Sequence, residues 1–150
     1  MPIVVSVHTL ATIVWLGALF FLCVVFRPGS DGLAPAVALP LWDRILTRFF
    51  LWASFGIAGI LISGILMVFL EFGGFSGVPM LHRVNTFFGI PAIVLYGYLC
   101  FVPWRRFRSA ISAFDLIAAE KSLGQFRILT PIILSLGFVA SIVSVAGRYM

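Results

Sequence analysis

Two histidines, His8 and His82, are the residues of this chain best suited to chemistry, and each accompanies a long uncharged run. His8 lies about two turns into Pro2–Phe26, PIVVSVHTLATIVWLGALFFLCVVF, 25 residues without Asp, Glu, Lys or Arg. Some 20 apolar residues suffice to cross a hydrocarbon core as a helix. In lipid an imidazole carries two nitrogens that want partners, and leaving them unpaired is costly. Polar groups at that depth tend to be functional. The bland alternative is a ring bonded to a backbone carbonyl or a serine at a wet end of a helix bundle.

Two imidazoles at one depth suit a shared ligand. Histidine pairs on membrane helices can hold a haem from both faces, the protein tuning its potential through burial and hydrogen bonds. Haem propionates want cations, and guanidinium matches a carboxylate with paired hydrogen bonds. Arg83 and Arg148 are placed to supply them, unless they only reach for headgroups. His82, Asn85 and Gly89 fall on one helical stripe, and Ala11, Gly89 and Ser144 are small enough to admit a flat macrocycle, with Trp15 as a wall. Copper is the competing ligand, because thioethers favour Cu(I) and imidazole suits either state. Met67, Met80 and Met150 lie toward the same side as the histidines.

The elements that position these residues follow from composition. The chain is 62% hydrophobic and 10% charged, with a mean hydropathy of +1.17. A soluble domain has about 25% charged residues, so this is an integral membrane protein. Beyond the first run, Phe49–Leu70, Val84–Trp104 and Ile128–Gly147 are uncharged and of spanning length. The net charge of +5 comes from arginines and one lysine in short loops, the pattern of membrane topology and not of nucleic-acid binding. Arg27, Arg44, Arg48, Arg105, Arg106, Arg108, Lys121 and Arg127 flank the first and third connections, while Arg83 and Arg148 fall opposite. That bias predicts both termini outside. Cys23 and Cys100 sit in apolar runs and form no CxxC motif. The first run lacks a basic n-region and is too long for a signal peptide, so it is expected to stay.

Small residues gather on one face of each span, as helix–helix contacts in membranes require: His8, Ala11, Thr12 and Trp15; Gly56, Gly59, Ser63 and Met67; Gly137, Ser141 and Ser144. Arg27–Asp43 reads as an irregular turn, from its Pro and Gly content. Phe107, Ile111, Phe114 and Ala118 recur at helical spacing, predicting a short amphipathic cytoplasmic helix or a cytoplasmic extension of the third span, with Gly124 as its stop.

HTLATIVWLGALFF (His8–Phe21), LHRVNTFFGI (Leu81–Ile90) and QFRILTPIILSLGFVASIVSVAGRY (Gln125–Tyr149) resemble the copper-resistance D (CopD)-like membrane domain, whose relatives include the HemJ-type protoporphyrinogen oxidases. The resemblance covers all four spans. It implies a four-helix domain and, from the HemJ branch, a b-type haem ligated near His8 and oxidation of a porphyrinogen by a membrane acceptor. Arg83 stands where HemJ-type proteins tend to carry a lysine shortly after the histidine, and copper-importing members have more helices.

The expectation is thus an all-α, four-transmembrane-helix bundle forming one domain over residues 1–150, with helices near 2–26, 46–70, 82–104 and 127–147 and both termini periplasmic in a bacterial inner membrane. It would hold haem b between His8 and His82 and carry out electron transfer or a small redox reaction with a quinone or periplasmic partner. Copper binding or transport ranks second, with Met80 and Met67 as added ligands. A HemJ-like porphyrinogen oxidase, or a subunit of a larger complex or homo-oligomer, is the remaining reading. No nucleophile–histidine or acid–base pair lies in the seam, so hydrolysis is not expected.

Overall fold

The computed structural model describes residues 1–147, so the roles expected of Arg148 and Met150 lie outside the described residues. The chain is almost wholly helical, without strands among the described residues, and four of its helical stretches are long and apolar enough to cross a membrane. Helix α1 (Pro2–Phe20) continues through a wider π-helical stretch (Phe21–Phe26) into a short α2 (Arg27–Ser30). Helix α3 covers Pro35–Phe72, α4 Met80–Phe101, α5 Pro103–Ser112 and α6 Leu116–Ala146. Four passes place the N-terminus, the α3–α4 loop and the end of α6 together at one end. The opposite end carries α2, α5 and eight of the cationic side chains.

Two sequence expectations fail at that cationic end. Arg27–Asp43 is not an irregular turn: only residues 31–34 are non-helical, and α3 starts at Pro35. Proline suits the first helical position, where its missing N–H would have no partner anyway. Pro40, inside the helix, does forfeit one backbone bond. Packing outweighs that loss, because Leu39, Trp42 and Leu46 are buried and Trp42 meets Phe26 edge-on at 4.7 Å. The second failure concerns Gly124, which lies inside α6 and stops nothing.

The real reversal is at Ala113–Asp115. Asp115 N–H donates to Ala110 O (2.9 Å) and Phe114 N–H to Ile111 O (3.2 Å), the paired bonds of a Schellman cap. Phe114 takes the left-handed position at φ 55°. The Asp115 carboxylate then accepts from Ala118 N–H at 3.1 Å and starts α6. Phe114 therefore does not continue the buried face of Phe107 and Ile111 and stands almost wholly exposed.

The closest helix pairings are α1 with α3 and α4 with α6, and α5 folds back on α6. Burial is lopsided. Phe49, Phe50, Tyr96, Trp104, Phe107 and Phe126 form a continuous aromatic core in the cationic half, where Phe50 lies 5.0 Å from Trp104 and 5.7 Å from Phe126. In the half with the termini, covering residues 2–14, 58–72, 80–91 and 138–147, only Ser63 and Ala140 are buried.

Candidate functional site

His8 owes its position to a close approach of α1 and α3. A Cβ on Gly59 would lie 2.9 Å from Ala11 Cβ, and one on Gly56 would lie 3.1 Å from Trp15 Cβ. Larger residues at either place would hold the helices apart. At this spacing the short Ser63 side chain, itself buried, reaches His8, and its Oγ stands 2.9 Å from Nδ1. Gly64 lies beside the ring, with open contact distance to Cε1.

The protonation of His8 depends on its partner. Ser63 has one hydroxyl proton, which it can donate to the Gly59 carbonyl. With that proton on Gly59 O, Ser63 can accept from His8 Nδ1–H; with it turned to the ring, Ser63 donates to Nδ1 instead. The first arrangement leaves the lone pair on Nε2, and the Ile60 backbone is a further hydrogen-bonding neighbour of the ring. An imidazole fixed through Nδ1–H with a bare Nε2 is the form in which histidine binds metals.

Trp15 does not stand as an open wall but closes the floor below His8. It is buried, its ring meets Tyr96 edge-on at 6.4 Å, and Gly137 of α6 lets it pack closely. Tyr96 fixes the other side: its hydroxyl donates to Phe50 O at 3.3 Å and accepts from Ser54 Oγ at 2.9 Å. The Trp15 indole N–H is buried without a partner among the described residues.

His82 is not brought to His8. Its exposed ring sits 5.1 Å from Phe72, near the end of α3. Ser63 and Phe72 are nine residues apart on α3, about 13 Å of helical rise, so the two rings lie against different levels of that helix. The expectation of equal depth fails because α3 extends to Phe72 and His82 is only the third residue of α4. Arg83 turns to the loop before it, donating from Nε to Val78 O (3.0 Å) and from Nη2 to Ser76 O (3.4 Å). Asn85 and Gly89 are half-buried, with open space at Gly89, and Ser144 is exposed. Met67 lies one turn beyond Ser63 and is half-buried, while Met80 is 81% exposed.

Among the described residues no three His, Cys, Asp or Glu side chains gather as a metal cage. What the chain offers is one braced imidazole in a half-open seam. This is a single nitrogen donor, and the two histidines do not form a clasp. The sequence places Ser63 on the inward stripe and allows a serine as the partner of a lone ring, but it predicts no nucleophile–histidine pair in the seam. The His8–Ser63 contact is such a pair and corrects that expectation. Against protein families, curated proteins and solved structures alike, the chain has no match.

Proposed function

We propose that this protein is a membrane-embedded redox protein carrying haem b, which His8 would hold. The observation that supports the reading is the buried Ser63 hydroxyl 2.9 Å from Nδ1, which braces the ring through one nitrogen and leaves Nε2 as the nitrogen that could bind a ligand. A haem held by His8 would supply one-electron chemistry. The reading agrees with the resemblance to the CopD-like domain and its haem-bearing branch. On the positive-inside rule the cationic end faces the cytoplasm of a bacterial inner membrane and the seam opens toward the periplasm. A quinone or a periplasmic protein is the natural partner there.

An absorption spectrum of the detergent-solubilised protein as isolated, before and after dithionite, tests this. A Soret band is expected, lost in His8→Ala, retained in His82→Ala, and shifted or weakened in Ser63→Ala. Stoichiometric copper without a Soret band, sensitive to Met67→Leu, would replace haem by the copper reading. A colourless, metal-free preparation that co-purifies with other chains would overturn both.

A further inference from the structure

A second site lies at the cationic end, independent of His8. Helices α4 and α5 meet at Pro103, and their outer side forms a shallow cleft, a groove open to the surroundings. Trp104, Arg105, Arg108, Ser109 and Ser112 line it from α5, and Cys100 and Phe101 from α4. These α5 positions recur at three- and four-residue spacing, so they share one face, while Phe107 and Ala110 on the other face are buried.

Its charge is one-sided. No acidic residue lines the cleft, and among the described residues neither guanidinium is within ion-pair distance of a carboxylate. The two arginines are nevertheless placed: Arg105 lies over the Phe101 ring at 5.3 Å and Arg108 over Trp104 at 5.6 Å. Stacking on aromatic faces leaves the in-plane N–H donors free for an anion. Ser109 adds a hydroxyl with no partner among the described residues, and Ser112 donates to Arg108 O while its lone pairs stay open. The neighbouring cleft between α5 and α6 has Arg106 and Lys121 too, but Asp115 lies among them.

Toward the membrane the arginine cleft runs into hydrocarbon. Phe87, Ile90, Val94, Tyr98 and Phe101 are exposed and recur at helical spacing down α4 to Arg105. Phe87 to Phe101 spans about 21 Å of helix, comparable to one leaflet of a core about 30 Å thick and somewhat more. A paired-arginine anion cradle continuous with an apolar stripe has the shape of a phospholipid. We infer that this cleft binds the phosphodiester of an anionic phospholipid, with an acyl chain along the α4 stripe.

The test uses the full chain, delipidated in neutral detergent and titrated with phosphatidylglycerol, phosphatidylcholine or inorganic phosphate, with binding read by native mass spectrometry. Phosphatidylglycerol is expected to bind in preference to phosphatidylcholine. A basic residue near an anionic surface contributes about 1 kcal/mol, so Arg105→Gln or Arg108→Gln should weaken it about fivefold each, and both together about 25-fold. Lys121→Gln, outside the cleft, should change it little. If the double variant fails to fold by circular dichroism, the single variants and Arg105→Lys, which keeps charge but loses the fork, carry the comparison. Equal binding of the two lipids, or no loss in the arginine variants, overturns the inference. Inorganic phosphate competing with phosphatidylglycerol at similar concentration would also overturn it, in favour of a free-anion site.

Discussion

The half of the bundle at the cationic end and the half at the termini are made from the same four helices, yet only the first closes. In the cationic half large rings fill the axis: Phe126, Phe107 and Trp42 are among the most deeply buried side chains, and Leu19, Leu46 and Leu99 pack between them. In the other half the facing residues are Gly59, Ser63, Gly64, Gly89 and Ser141, which cannot fill the same space. Lipid tails are as apolar as leucine, so helices in a membrane associate through van der Waals contact and not by escaping water. Where bulky side chains interdigitate the four helices lock. Where small ones predominate, α1 grips α3 and α4 grips α6, and the pairs have little to hold them to each other. A rigid half can thus position a less filled one, and the imidazole sits where the filling stops.

The largest effect that sharpens this contrast is expected from Phe126→Ala. Its ring is 1% exposed and touches Phe50 at 5.7 Å, so truncation leaves a cavity between α3 and α6. Phe→Ala in a core costs about 3–5 kcal/mol, and about 3 kcal/mol is expected here, because lipid removes part of the transfer term. Phe87→Ala in the open half, where the ring is 72% exposed, should lie within about 0.5 kcal/mol of the parent. Thermal midpoints in one detergent compare the two. Similar losses would mean that the halves are equally packed.

The four spans and their helical class were legible in the sequence, because an uncharged run of about 20 residues has few other physical solutions in lipid. The early start of α3 was not. Pro35 and Pro40 read as turn residues when taken alone, and only the burial of Leu39 and Trp42 against neighbouring helices makes the helix worthwhile. The α5–α6 reversal was hidden for the opposite reason. A phenylalanine at helical spacing looks like core, and nothing local announces that it takes a position usually given to glycine. At the site, His8 was readable as an intramembrane polar group needing partners, but depth was misjudged for His82. Two helices running the same way do not share a register, and a helix that starts with its histidine places that ring near the membrane edge.

A smaller effect probes how the open half is tied down. Gly59→Ala puts a methyl 2.9 Å from Ala11 Cβ, and since neither methyl can rotate away, the helix backbones must separate. Overpacking of this kind costs about 1–3 kcal/mol, and the gain in helix propensity returns somewhat under 1 kcal/mol. A net loss of about 1 kcal/mol is expected, with a weaker His8–Ser63 bond and a correspondingly altered His8 nitrogen resonance by NMR. Gly137→Ala is the comparison: there the added methyl meets Leu16 Cδ2, the mobile end of a side chain, so the rotamer can yield. If Gly137→Ala costs as much as Gly59→Ala, the α1–α3 approach has no special role in holding the imidazole.

The smallest effect concerns a flaw in the otherwise well-packed half. Phe114 is 91% exposed and sits at φ 55° in the α5 cap. A left-handed backbone costs a non-glycine residue about 1–2 kcal/mol, whereas glycine adopts it without strain but loses more unfolded-state entropy. The ring makes few contacts that its removal could cost. Phe114→Gly should therefore stabilise the protein by about 0.5–1 kcal/mol, seen as a higher thermal midpoint, with both Schellman bonds kept. Phe114→Ala, which removes the ring but keeps the strain, should leave the midpoint unchanged. A fall for both variants would mean that the exposed ring is gripped by lipid or detergent, and that the cationic half is braced by the membrane surface as well as by its own core.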